Sequence, residues 1–117
     1  NKLTERAKEL RCMYQVMERL KDEHAELITI FKSVLEAIPP GYQYPTVCEA
    51  RIILEGKIYS SPDFIETEWK QRAEIVIDNH VAGEIQVCYV QDVFEKGFIF
   101  FPEEQKLLNS IADHLSR

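Results

Sequence analysis

The segment Pro39-Pro40-Gly41 constrains the fold most, because the period of the hydrophobic pattern changes there. Before it, apolar residues recur every three or four positions, which indicates helices. The prolines end the last of these helices, since proline has no backbone N–H and the residue before it is pushed out of the helical region. From residue 46 onward, apolar and polar residues alternate, which indicates half-buried strands. The chain must therefore combine helices with a sheet.

Three helices are predicted around this sheet. Residues 2–21 form the first, and Asp22 is predicted to cap the second, which runs up to the prolines. The third begins at Pro102, a residue type favoured in the first turn of a helix. Glu103 and Glu104 are interpreted as solvated charges or as charges that favour the positive start of this helix.

Two antiparallel hairpins are predicted between the prolines and the third helix. Residues 46–54 and 58–60 form the first hairpin around a tight turn, and residues 69–78 and 81–90 form the second. Glycine is costly within a strand unless something approaches closely, so Gly83 is predicted to mark a bulge or a tight packing contact. The fold class is α+β, with a central antiparallel β-sheet, helices packed on one face and a long N-terminal helix in front.

The segment of residues 1–22, which contains the first helix, is predicted to be a coiled-coil-like signalling helix that precedes one domain at residues 23–117. Its apolar residues follow at steps of seven, three, four and three positions, which favours pairing with another helix; they are Leu3, Leu10, Met13, Met17 and Leu20. Arg6 interrupts this line at one expected apolar position. The pattern predicts a homodimer, and the alternative is that the helix packs its stripe on its own domain.

Composition and charge exclude several classes of function. The 117 residues suit one domain, and the net charge of −6 disfavours a nucleic-acid partner, whose sites need clustered positive charge. No apolar stretch approaches the roughly 18 residues of a membrane-spanning helix, so we expect no membrane contact. Cys12, Cys48 and Cys88 lie far apart, which predicts reduced thiols in a cytoplasmic protein and neither a metal site nor disulfides.

Catalytic and cofactor signatures are missing from the sequence. His80 is a candidate base for a nucleophilic Cys48 or Cys88, but both cysteines alternate with their neighbours as sheet residues do, which favours burial. The histidines, His24, His80 and His114, lack the short spacing of metal ligands. We therefore expect neither an enzyme nor a bound cofactor or metal.

Three aromatic residues flank or occupy the loop between the two hairpins: Tyr59, Phe64 and Trp69. Aromatic side chains supply much of the apolar lining of small-molecule sites. These residues are therefore the candidates for lining a small cavity that would hold an unidentified ligand. Core packing is the alternative interpretation.

The carboxyl-terminal part of the chain resembles the closing strand and helix of GAF domains. The residues that carry the resemblance are Gly83-Glu84-Ile85-Gln86-Val87, then Phe101-Pro102-Glu103-Glu104, then Leu107-Leu108, Ile111-Ala112 and Leu115. Residues 38–45, with Ala50-Arg51-Ile52 and Trp69-Lys70-Gln71, are similar to a compact GAF-like variety that stands beside PAS and histidine-kinase modules in sensor proteins. Leu10-Arg11-Cys12-Met13-Tyr14 is similar to the signalling helix that leads into such domains.

This resemblance implies a non-catalytic sensory or signal-relay domain of a two-component, histidine-kinase type of protein. Such a domain would transmit conformational change through dimerising helices to adjacent domains of the same parent chain. Larger GAF domains cover their ligand with a lid inserted between strands, whereas only residues 60–71 are available for one here. The alternative function is a regulatory or docking domain attached to a metabolic or phosphotransfer enzyme.

Overall fold

The change of hydrophobic period at Pro39 corresponds to a change from helices to strands in the structure, a computed structural model that describes residues 2–22, 24–91 and 100–116. In chain order the elements are α1 (Lys2–Leu20), α2 (Leu27–Ala37), β1 (Cys48–Leu54), β2 (Lys57–Ser60), β3 (Lys70–Ile77), β4 (His80–Tyr89) and α3 (Pro102–Leu115). Short 3₁₀ turns occupy Pro39–Gly41 and Pro45–Val47. The predicted α+β class with an antiparallel sheet is confirmed.

The four strands form one antiparallel sheet in the order β2-β1-β4-β3. The register of the central pair places Cys48 opposite Tyr89 and Ile52 opposite Ile85, so that the alternate apolar residues of both strands share one face. Helices α2 and α3 cover this inner face, with α2 against β1 and β2 and α3 against β3 and β4. The core therefore lies between the sheet and these two helices.

Both hairpins close through two-residue turns. Glu55 and Gly56 have φ values of 50° and 83°, and Asp78 and Asn79 have values of 51° and 66°. Two successive positive φ angles match the right-handed twist of the strands that such a turn connects. The residue pairs Glu55-Gly56 and Asp78-Asn79 thus adopt the backbone angles that a two-residue hairpin turn needs.

Gly83 is in tight contact with the neighbouring strand. It pairs with Leu54 on β1 and Ile75 on β3, and the register of β3 shifts directly after Ile75. A Cβ atom at position 83 would lie 1.9 Å from the carbonyl oxygen of Ile53. The expectation of a tight contact here is confirmed, because there is no room for any side chain.

The connection from β2 to β3 crosses one end of the sheet, since these strands form its opposite edges. The backbone N–H of Ser61 donates to the carbonyl of Ala50 at 3.0 Å, and the Thr67 hydroxyl donates to the carbonyl of Tyr89 at 2.8 Å. Arg51 lies 4.6 Å above the centre of the Phe64 ring. The crossing segment is therefore held to both central strands.

The second helix begins later than the sequence predicted. It starts at Leu27 after Glu26, whose side chain makes no capping hydrogen bond. Asp22 accepts a hydrogen bond of 3.1 Å from the backbone N–H of His24 and so belongs to the turn between the helices. The predicted helix cap at Asp22 is wrong, because a short local turn uses its carboxylate first. Among the described helices, none combines the length and apolarity needed to cross a membrane.

We expect Gly83→Ala to lower the free energy of unfolding by about 3 kcal/mol, since the added Cβ overlaps a backbone carbonyl that cannot move without breaking the sheet. Gly56→Ala is the matched control, because its surroundings are open and only its positive φ is penalised, at about 1–2 kcal/mol. Denaturant unfolding of both variants measures the difference. Equal destabilisation would contradict the close approach at Gly83.

Candidate interaction surface on the first helix

The inner face of α1 belongs to the core of the domain. Cys12 and Val16 are 2% and 0% exposed and join the cluster that α2, α3 and the sheet enclose. Met13 and Leu20 are partly buried against the same cluster. The helix thus packs on its own domain, and it does so mainly through residues outside the predicted seam.

The opposite face of α1 is apolar and exposed. Leu3, Leu10, Tyr14 and Met17 are 82%, 66%, 60% and 40% exposed, and Ala7 between them is exposed as well. Residues 3, 7, 10, 14 and 17 follow at steps of four, three, four and three, so they form one line of roughly 21 Å along the helix. We call these five residues the α1 seam. Exposed apolar surface that is contiguous in this way is typical of an interaction site.

The α1 seam differs from the line that the sequence predicted. Leu3, Leu10 and Met17 belong to both, whereas Met13 and Leu20 turn toward the core of their own domain. Ala7 and Tyr14 take their places in the exposed line, and Arg6 lies beside it instead of within it. The charge that interrupts the predicted seam therefore does not interrupt the exposed one. The sequence of α1 contains two overlapping apolar stripes, and in the structure one of them faces the core while the other is exposed.

A groove of about 320 Å³ runs between α1 and α3 next to the seam. Leu10, Met13 and Leu107 are its apolar lining residues, and Leu10 also belongs to the seam. Charged residues of both signs line it as well: Arg6 and Lys106, with Glu9 and Glu103. The apolar surface thus continues from the seam toward α3, and its charges favour a partner that also carries both signs.

The rotation of α1 is fixed by its contact with the first 3₁₀ turn. The Cys12 thiol donates to the carbonyl of Ala37 at 3.3 Å, and burial raises its pKa to about 12, so it stays protonated and remains a donor. A Cβ atom on Gly41 would lie 2.7 Å from the Cβ of Cys12 and 3.0 Å from a methyl carbon of Leu107. The backbone of Gly41 is therefore wedged between α1 and α3.

Glu104 joins the start of α3 to the same loop. It is 0% exposed; one carboxylate oxygen accepts from the backbone N–H of Phe101 at 2.8 Å and the other from that of Gln43 at 3.1 Å. Its interpretation as a helix-start charge agrees with the first bond, which is half of a capping box. The alternative of a solvated charge is wrong, because the loop at Gln43 folds over the carboxylate.

Tyr42 anchors this loop from inside the core. Its hydroxyl donates to the side-chain oxygen of Gln71 on β3 at 2.5 Å, and both residues are buried. Burial raises the pKa of Tyr42 well above its usual value, which keeps the hydroxyl a donor. The ring meets those of Tyr89 and Phe100 edge-on. The loop is thus tied to the sheet as well as to α3.

The three aromatic residues predicted to line a cavity are not brought together. Tyr59 pairs with Ile52 on the inner face and its ring lies 4.9 Å from that of Phe31. Phe64 lies beneath Arg51 on the outer face. Trp69 precedes β3 and packs partly against the core. Because Tyr59 and Phe64 are on opposite faces of the sheet, a shared cavity receives no support from their placement.

A cysteine nucleophile with His80 as its base is disfavoured by burial of the thiols and by distance. Burial raises the pKa of both Cys48 and Cys88, which opposes the thiolate that a nucleophile needs. His80 begins β4 while Cys88 lies near its end, a separation of roughly 26 Å along an extended strand. Within residues 2–22, 24–91 and 100–116, no three His, Cys, Asp or Glu residues are grouped so that they could hold a metal ion.

Comparisons with known proteins yield no relative. No protein-family model matches the chain, and no significant match occurs among curated proteins or solved structures. The functional proposal therefore depends on the geometry of α1 and its surroundings.

We expect Glu104→Ala to lower the free energy of unfolding by roughly 2–4 kcal/mol, since it removes the acceptor for two backbone N–H groups at a buried position. Glu103→Ala is the control on the same helix turn and should change stability by less than about 0.5 kcal/mol. Thermal or denaturant unfolding compares the two. A Glu104→Ala variant as stable as Glu103→Ala would show that the carboxylate does not hold the loop.

Proposed function

We propose that this chain is a non-catalytic signal-relay module that pairs with a second copy through the α1 seam. The observation that carries the proposal is the exposed line of five apolar residues at heptad spacing, on a helix whose other face is buried in the domain. Heptad spacing of exposed apolar residues is the pattern by which helices pair. A helix that merely covered its own core would expose polar residues along this line.

The length of the α1 seam sets the strength of this association. Five residues over about two heptads are fewer than the three to four heptads of a self-sufficient coiled coil. The adjoining groove at Leu10, Met13 and Leu107 adds apolar surface on the α3 side. We therefore propose a weak, concentration-dependent dimer for this chain by itself.

Relay is proposed because α1 is mechanically joined to the rest of the domain. Cys12 and Leu107 both contact the backbone of Gly41, and Glu104 ties that loop to the start of α3. A rotation of α1 in a dimer would consequently require the loop and α3 to shift with it. A ligand or an adjacent domain of the same polypeptide would act by favouring one packing of these helices, to the extent of its differential affinity for the two.

The GAF-like interpretation is part of this proposal. Its support is the order helix, helix, hairpin, hairpin, helix together with a central antiparallel sheet. A two-component, histidine-kinase type of parent protein is the setting that the sequence resemblance suggests. A role as a sensor of a small ligand has less support, because Tyr59 and Phe64 lie on opposite faces of the sheet.

A second candidate is a docking domain for a different protein, such as an enzyme that it regulates. The observation in favour is a further exposed apolar group on the outer face of the sheet, away from α1. Ile58 and Val81 are 62% and 61% exposed, and Val76 is 46% exposed. This group has no heptad order, so it does not predict a second copy of the chain as its partner.

We expect Leu10→Glu to abolish self-association, since it places a charge in the middle of the apolar seam. Sedimentation velocity from about 10 to 500 µM covers the range of weak dimers. Ile58→Glu is the matched control, because Ile58 is 62% exposed against 66% for Leu10 but lies on the outer face of the sheet.

The wild-type chain and Ile58→Glu should shift toward dimer with concentration, while Leu10→Glu remains monomeric and as stable as the wild type. A wild-type chain that stays monomeric throughout would overturn the proposed pairing. Loss of association in Ile58→Glu alone would move the interface to the sheet.

A further inference from the structure

We infer that the two copies of α1 pack antiparallel, an inference that rests on the proposed function because it presupposes the dimer. The α1 seam is asymmetric along its length: Ala7 is the smallest residue near its start, and Tyr14 and Met17 are the largest near its end. The two possible helix directions therefore bring residues of different size together. Side-chain volume in each layer distinguishes them.

In a parallel pair every seam residue meets its own copy. Ala7 would face Ala7 of the partner subunit and leave a void, while Tyr14 would face Tyr14 of the partner subunit and force the helices apart. Such unequal layers along one helix pair conflict with uniform close packing. The parallel direction is therefore disfavoured by volume.

In an antiparallel pair the two alternating positions of the heptad face each other. We take the register in which every residue of the α1 seam has a residue of the partner subunit opposite it, and there the numbers of the two facing residues sum to 24. Leu10 then faces Tyr14 of the partner subunit, and Ala7 faces Met17 of the partner subunit. Each layer combines a larger with a smaller side chain, so the helix separation stays even. Leu3 then lies at the carboxyl end of the partner subunit's α1, next to the turn residue Lys21 of the partner subunit, whose aliphatic stem can cover it while the ammonium group stays paired with Glu18 in water.

The residues that flank the α1 seam favour the same direction. In a parallel pair Arg6 approaches Arg11 of the partner subunit on both sides, and Met13 approaches Glu18 of the partner subunit. In an antiparallel pair one flank brings Met13 next to Met13 of the partner subunit. That contact extends the interface into the apolar groove beside α3, which Met13 lines. Arg11 then approaches Arg11 of the partner subunit at the two-fold axis, and this is the one pair of arginines that meets between the two helices.

Disulfide cross-linking between Ala7→Cys and Met17→Cys variants tests the direction. In an antiparallel pair positions 7 and 17 are adjacent, whereas position 7 lies roughly 15 Å along the axis from its own copy, too far for a disulfide. The native Cys12, Cys48 and Cys88 are buried and do not compete. Ile58→Cys, exposed on the other surface, measures collisional cross-linking.

We expect a mixture of the two variants, distinguished by a mass tag, to give cross-linked heterodimers well above the Ile58→Cys level, and each variant alone to stay at that level. Homodimers of Ala7→Cys and of Met17→Cys would establish the parallel direction and overturn the inference while leaving the proposed dimer intact. A chain that sediments as a dimer but gives neither cross-linking pattern also overturns the antiparallel direction. A chain that is monomeric in sedimentation overturns the proposed function instead.

Discussion

The backbone of Gly41 is the contact on which the arrangement of the helices depends. It lies where α1, α3 and the proline-rich loop meet, and a Cβ atom there would come within 2.7 Å of Cys12 and 3.0 Å of Leu107. The Cys12 thiol, kept protonated by burial, adds a hydrogen bond to the end of α2. Because these contacts fix how α1 is rotated, they also decide which of its apolar residues are left exposed.

Much of the fold follows from local sequence. The period of the apolar residues predicted the helices and strands, and the residue pairs at 55–56 and 78–79 adopt the positive φ angles that two-residue hairpin turns need. Gly83 was predicted to mark a close approach, and the carbonyl of Ile53 occupies the place of its side chain. The helix α2 begins later than the sequence predicts, because Asp22 caps a local turn instead of the helix.

The residues that matter for the site were harder to predict, because long-range contacts select among local patterns. Periodicity gave α1 two overlapping apolar stripes. The contact of Cys12 with Gly41, 29 positions later, and the burial of Val16 in the core turn Met13 inward and leave Tyr14 outside. Glu104 is buried for a similar reason, since Gln43 comes from a distant loop. Tyr59 and Phe64 are close in sequence, yet the crossing between the sheet edges places them on opposite faces.

One face of α1 packs on its own domain, and we propose that the opposite face binds a second copy of the chain. The most direct test is a dilution series followed by ¹⁵N–¹H NMR spectra of the unmodified chain. If the α1 seam is the interface, the amide chemical shifts of residues 3–17 and of the part of α3 that borders the groove should change with concentration, while the amide shifts of β1 and β4 stay constant. Changes confined to the outer face of the sheet, around Ile58 and Val81, would contradict this interface.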